Sequence, residues 1–221
     1  MTVIAIDGPA GSGKSTLARL LAERLGYAYL DTGAMYRAVA YLALRDGVAL
    51  DDGATLATLA RDAHIAFTPR GHIVAADRDV TEEIRRPAVS GAVSEASAHR
   101  EVRAVLLDEQ RRIGAAQDVV IEGRDIGTVV FPDAPVKLFL TATPHVRAER
   151  RRKELVAKGE HVSGDETLRA IVTRDAYDSS RAVAPLKPAA DAVELDTSGL
   201  DIEGVVEAAL AIVRAKLRVT A

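Results

Sequence analysis

An α/β fold built on a parallel sheet is the class this sequence predicts, and three observations predict it. A short apolar run, Val3–Asp7, leads through a glycine-rich stretch into a segment of helical periodicity. Strand-like and helix-like segments then alternate along the chain, the rhythm of βαβ units. The third observation is size: 221 residues with 48% hydrophobic content suffice for one compact domain with small inserted lobes.

The elements follow in order. Lys14–Leu25 reads as a helix with Leu17, Leu20, Leu21 and Leu25 on its apolar face and Gly26 as its stop. Residues 27–31 read as a second strand and 34–45 as a second helix closed by Gly47, with Thr32 as a candidate cap. From 51 to about 115 the rhythm breaks. Asp51 or Asp52 can cap a helix reaching Ala63, 65–67 and 73–75 read as a hairpin around a turn at 69–71, and helices follow near 87–97 and 100–114. The rhythm resumes with strands at 119–122, 136–140 and 192–196. Thr143-Pro144 starts a helix to about Lys158, Ser163-x-x-Glu166 is a capping-box signature, and 201–218 form a last amphipathic helix.

Composition excludes several classes. With no cysteine, no disulfide framework, thiolate nucleophile or cysteine-ligated metal is available. The longest apolar run, 38–44, has seven residues against the roughly 20 a bilayer needs, so no membrane association is expected. The N-terminus lacks a signal-peptide pattern, and a cytoplasmic location is expected. Net charge is −3, which argues against a nucleic-acid coat. The 23 Arg against 6 Lys are either a compositional bias or a set of phosphate-gripping forks, which position decides. The five histidines (64, 72, 99, 145, 161) make no metal-ligand pattern.

Gly8-Pro9-Ala10-Gly11-Ser12-Gly13-Lys14-Ser15 fits G-x-x-x-x-G-K-[ST] without mismatch, between a strand and a helix. Such a loop aims several N–H groups at a phosphate beside a helix N-terminus. Lys14 can reach the β- and γ-phosphates, and the Ser15 hydroxyl can ligate Mg²⁺. Asp196-Thr-Ser-Gly199 spells a GTPase-like D-x-x-G, but no guanine-reading motif follows it.

Arginines recur at strand ends, where open α/β sheets place ligands. Arg37 follows the second strand, and Glu122-Gly-Arg124-Asp125 closes the third. Arg147, Arg150 and Arg151 share a helix face at i, i+3, i+4 before a polar, lid-like loop; a solvated face paired with Glu149 and Glu154 is the alternative. Arg174, Asp178 and Arg181 at i, i+4, i+7 can pre-orient two guanidiniums through one carboxylate, or form a structural ladder. So many cations suit a phosphorylated acceptor better than water, which makes the chain read as a small-molecule kinase. A kinase for another monophosphate, and a nucleotide switch or regulatory ATPase, are the rivals.

Four segments together resemble bacterial cytidylate kinases: Ile6-Asp7 through Thr16, Asp31-Thr-Gly-Ala-Met-Tyr36-Arg37, Glu122 through Pro132, and Arg181-Ala-Val-Ala-Pro-Leu186. The resemblance runs from residue 3 to about 213. It implies a P-loop kinase with a five-stranded parallel sheet ordered 2-3-1-4-5, an inserted monophosphate-binding lobe and a short helical lid. The expected division is a core of 1–50, 116–143 and 182–221, a lobe of 51–115, and a lid with flanking helices at 144–181. The implied reaction carries the γ-phosphate of Mg·ATP to CMP or dCMP, in a monomer. Gly8 through Thr16 would bind ATP, with Mg²⁺ on Ser15. Lys14, Arg124, Arg150 and Arg181 would surround the moving phosphoryl group. Arg37, Arg124 and Arg181 would hold the monophosphate, with Tyr36 packed near the nucleotide and Thr32 among the substrate-binding residues; Ser94, Arg103 and Asp125 would read the base; Arg174 and Asp178 would hold the sugar.

Overall fold

The structure is a computed structural model, describing residues 1–68, 71–157 and 159–219, the side chain of 219 excepted. Strand β1 (Val3–Asp7) is buried throughout and feeds helix α1 (Lys14–Leu25), which closes at a left-handed Gly26. Strand β2 (Ala28–Asp31) passes directly into α2 (Thr32–Asp46). The cap of α2 is Asp31, one residue before the Thr32 that the sequence suggests: its carboxylate accepts from the Ala34 N–H at 2.9 Å. A carboxylate there also meets the positive end of the helix dipole, which a threonine hydroxyl does not.

Asp52 caps α3 (Gly53–Asp62) through the Thr55 N–H at 3.0 Å. Strands β3 (Ala66–Phe67) and β4 (Ile73–Ala75) form the expected hairpin, although Pro69 and Arg70 of its turn lie outside the described residues. A third strand, β5 (Arg78–Asp79), was not foreseen. It returns through Ala76 and Asp77, both at positive φ, a conformation that aspartate visits readily and alanine rarely. A 3₁₀ turn (Glu83–Arg85) leads to α4 (Pro87–Ala96) and α5 (Arg100–Gly114).

Strand β6 (Val119–Gly123) is followed by a π-helical turn (Ile126–Val130) and β7 (Val136–Thr141). Helix α6 (Pro144–Ala157) has its proline at the start; the expected final residue, Lys158, lies outside the described set. Helix α7 (Gly164–Ser180) starts on the complete Ser163/Glu166 capping box, and β8 (Val193–Asp196) and α8 (Ile202–Val219) end the fold.

The chain forms two compact units: Met1–Leu30 with Gln117–Ala221, and Asp31–Ala116. The first is organised on a five-stranded sheet, β2-β6-β1-β7-β8, in which β1 runs parallel to β6 and β7, and β7 parallel to β8. Numbered within the sheet, that is the expected order 2-3-1-4-5. Ile4, Ile6, Val120, Val136, Leu138 and Leu140 bury one sheet face against Leu17 and Leu21 of α1 and Val206, Leu210 and Val213 of α8. Fully burying each such side chain contributes roughly 1.5–3 kcal/mol. Register sets Asp7 beside Gly123 and Phe139, so the loops after β1 and β6 leave the sheet from adjacent C-terminal ends.

The second unit packs α2 against α4 and the 3₁₀ turn, and α3 against α5, beside the small β3-β4-β5 sheet. Arg85 extends the work of Asp31, pairing with its second oxygen at 2.8 Å. Asp31→Ala is expected to remove both contacts and lower stability by about 1–2 kcal/mol, read as a melting temperature several degrees lower.

Candidate active site

The phosphate loop lies between β1 and α1. Gly8 sits at φ 147°, and a Cβ there would lie 2.2 Å from the Leu140 carbonyl oxygen. Gly11, at φ 75°, approaches the backbone of Arg147 so closely that a Cβ would meet its carbonyl at 2.9 Å. Both positions therefore require glycine for space as well as for conformation. Lys14, the first residue of α1, is buried and donates from Nζ to the Pro9 carbonyl at 2.8 Å, with the Ser12 hydroxyl at 3.5 Å. Burial holds the Lys14 ammonium well below the usual lysine range, and the nearby Arg124 charge adds to the effect. A bound polyphosphate would reverse that imbalance. Ser15 is exposed on the first turn of α1 and Thr16 is half-buried.

Asp7 was not among the expected site residues. Its buried carboxylate accepts the N–H groups of Ile126 and Gly127, each at 2.8 Å, and so fixes the turn that follows Arg124 and Asp125. Burial nevertheless pushes its pKa up to about 6, because two N–H donors offset only part of the lost hydration. The signal in the sequence was a lone acidic residue ending the apolar run Val3–Ile6.

A second cluster in the same unit gathers three guanidiniums around one carboxylate. Asp178 is buried, with Arg124 Nε at 3.1 Å, Arg181 Nη2 at 3.5 Å and Arg174 Nε at 3.8 Å. The segment after α7 is tied back by the Leu186 N–H to the Asp178 carbonyl at 2.9 Å, which keeps Arg181 beside the helix. One buried carboxylate thus orients three guanidiniums in a largely dry place, a grouping suited to gripping a phosphate. Asp125, buried in the same unit, sits next to Arg124.

The three arginines of α6 part company. Arg147 has a side chain only 5% exposed and Arg150 turns to the phosphate loop and Thr197, whereas Arg151 pairs on the surface with Glu154 at 3.0 Å. Arg150 reaches the Thr197 hydroxyl at 2.9 Å and its carbonyl at 2.7 Å, and the Ser12 carbonyl at 3.5 Å. The fully buried Thr197 hydroxyl also contacts the Ser12 and Thr141 carbonyls. The D-x-x-G of the last strand has a local role: Asp196 accepts from the Ser198 N–H and hydroxyl.

In the second unit, Thr32 is buried in the first turn of α2. Arg37 donates to the Ser90 hydroxyl at 2.9 Å and the Ile84 carbonyl at 3.3 Å, and Ser90 was not anticipated. The Arg103 guanidinium lies over the Tyr36 ring, 5.3 Å from its centroid, and reaches the Ser97 carbonyl at 3.3 Å. Ser94 is half-buried on α4, its carbonyl accepting from the Ser97 hydroxyl at 3.1 Å.

Sheet order, phosphate loop and arginine cluster define a P-loop kinase. Among solved structures, the fold is similar to a gluconokinase from Sinorhizobium meliloti (TM-score 0.51, 16% identity, covering 99% of this chain and 95% of that one). It is similar also to shikimate kinase from Bacteroides thetaiotaomicron (TM-score 0.50, 14% identity, 96% and 98% covered). A family model described as cytidylate kinase matches residues 4–215. The cytidylate kinase of Geobacter sulfurreducens is 51% identical over 221 residues, spanning 99% of this chain and 95% of that protein. That of Carboxydothermus hydrogenoformans is 50% identical over 216 residues, with 96% and 97% covered. The chain belongs to the cytidylate kinase family.

Proposed function

We propose that this chain transfers the γ-phosphate of Mg·ATP to CMP or dCMP, releasing ADP and CDP or dCDP. The observation that carries the reading is the group of three arginines on Asp178, placed in the same compact unit as the phosphate loop. A polyphosphate donor and an anionic acceptor each need such a cluster.

The chemistry requires no dedicated base. An oxygen of the acceptor's own phosphate attacks the γ-phosphorus, the bond from that phosphorus to the β–γ bridging oxygen breaks, and the electron pair leaves with ADP. Residues Gly8 through Thr16 bind ATP with loop N–H groups and the Lys14 ammonium. The Ser15 hydroxyl is a hard oxygen donor of the kind Mg²⁺ takes, and the ion enters with the nucleotide as substrate. Lys14, Arg124, Arg150 and Arg181 stabilise charge on the moving group. Lobe residues 51–115 and the helices of 144–181 are assigned to acceptor binding and to the lid.

For the acceptor, Arg37, Arg124 and Arg181 take the monophosphate, with Thr32 and Tyr36 beside it, and Arg174 and Asp178 take the sugar. Ser94 and Arg103 serve the O2 and N3 acceptors of cytosine, and Asp125 accepts from its N4 amino group. Uracil would set a carbonyl oxygen against the Asp125 carboxylate, and a polar site rejects such a mismatch strongly. A monomer is the state we assign, resting on the resemblance alone, and the cytoplasm is the place the sequence pattern leads us to assign.

The test compares kcat/KM for CMP and UMP in the wild type and in Asp125→Asn. Wild type should favour CMP by about a hundredfold or more, and the amide should shrink that ratio at least tenfold, since it can rotate a donor toward uracil. An unchanged ratio in the variant would move base reading elsewhere; a wild type indifferent to CMP would overturn the assignment.

A further inference from the structure

The spacing of α6 allows Arg147 either a lid face or a solvated one, yet all three kinds of donor on its guanidinium are committed to protein. Nε donates to the Ala142 carbonyl at 2.9 Å, Nη1 to the Ala10 carbonyl of the phosphate loop at 3.1 Å, and Nη2 pairs with Asp175 Oδ2 at 2.6 Å. The three partners come from the end of β7, the phosphate loop and α7. We propose that Asp175 is a positioning residue for ATP: acting through Arg147, it fixes the outer side of the phosphate loop and so sets the geometry in which the loop meets the nucleotide. The proposal rests on the reading of this loop as the ATP site.

The physical reason lies in the loop itself. A loop that turns successive N–H groups inward to a phosphate turns carbonyls outward, and an outward carbonyl buried against protein needs a donor. Arg147 supplies it to Ala10. A lone buried guanidinium is costly, and one bound at a single point swings; Asp175 neutralises it and fixes its plane. The other Asp175 oxygen, Oδ1, is buried and has no hydrogen-bond partner among the described residues, so the salt bridge to Arg147 is its principal contact. The close approach of Gly11 to the Arg147 backbone means that a shift of α6 is passed straight to the loop. Asp175 adjoins Arg174 and lies one turn before Asp178, so a single stretch of α7 holds the arginine cluster on one side and the phosphate loop on the other. Asp175 reaches the loop through Arg147, which pairs with it at one end and donates to Ala10 at the other.

Calorimetric binding of Mg·ATP to the intact protein tests this in four forms: wild type, Asp175→Asn, Arg147→Met and the double variant. Asp175→Asn should weaken Mg·ATP about three- to tenfold, with KM for ATP rising in step and KM for CMP changing less than about twofold. In the Arg147→Met background the same substitution should change nothing further, because its route is gone. Wild-type affinity in Asp175→Asn, or an equal loss in both backgrounds, would overturn the proposal. Should Asp175→Asn fail to fold, Asp175→Ser, smaller and uncharged, takes its place with the same expected loss; full Mg·ATP affinity there would overturn the proposal equally. Binding is read without an acceptor, so a wild type that binds Mg·ATP but leaves CMP unphosphorylated sinks the functional reading and not this one.

Discussion

Lys14→Met is expected to cut turnover by roughly a thousandfold and, at the same time, to raise the melting temperature of the ligand-free protein. The two effects have one cause. Lys14 is buried against its own loop, and burial first, then the Arg124 charge, lowers its pKa from 10.5 to about 7, Glu122 opposing. The ammonium is thus held in readiness for a polyphosphate at a standing cost to the empty protein, on the order of a few kcal/mol. Methionine fills similar volume without charge. The sign with pH follows from proton counting. The folded state binds fewer protons at Lys14 than the unfolded state between about pH 7 and 10.5, so wild-type stability gains from this group as pH rises across that window. The advantage of Lys14→Met should accordingly be largest at pH 7 and below and fade toward pH 10.5. A variant less stable than wild type at pH 7, or one that keeps normal turnover, would contradict this account of Lys14.

The Asp178→Asn variant is expected to lose stability by about 3 kcal/mol, lowering the melting temperature by roughly 6–12 °C, because three guanidiniums would then share no carboxylate. Removing the carboxylate also raises the cluster's appetite for anions. Added sulfate, which needs no sugar contact, should restore more of the melting temperature in the variant than it adds to wild type. The variant's turnover with CMP should fall by two orders of magnitude or so, since Arg124, Arg174 and Arg181 lose the group that orients them. Equal anion effects on the two proteins would show that Asp178 does not organise an anion site.

What the sequence revealed was what local spacing encodes. The Gly8–Ser15 loop, the apolar strands 3–7 and 136–140, the Ser163/Glu166 capping box and the Arg174/Asp178/Arg181 set at the end of α7 each depend on residues a few positions apart. Distant partners were hidden. The π-helical turn after Asp125 is held by Asp7, 119 and 120 positions earlier, and no local pattern announces it. The arginines of α6 show the limit most clearly. Their spacing places them on one helix face, but it does not say that Arg147 and Arg150 face loop carbonyls 137 and 138 positions away while Arg151 faces solvent. Asp31 displaced Thr32 as cap because a carboxylate serves Arg85 as well as the helix, and that second partner lies 54 residues on. The placement of Arg103 over Tyr36 likewise depends on the packing of separate helices.

The central claim is phosphoryl transfer from ATP to a cytidine monophosphate. Its most direct test is ADP release with Mg·ATP, offering CMP, dCMP, UMP, AMP, GMP and dTMP one at a time. Turnover strongest with CMP and dCMP is the result predicted; a clear preference for another monophosphate, or no turnover with any of the six despite measurable ATP binding, would contradict it.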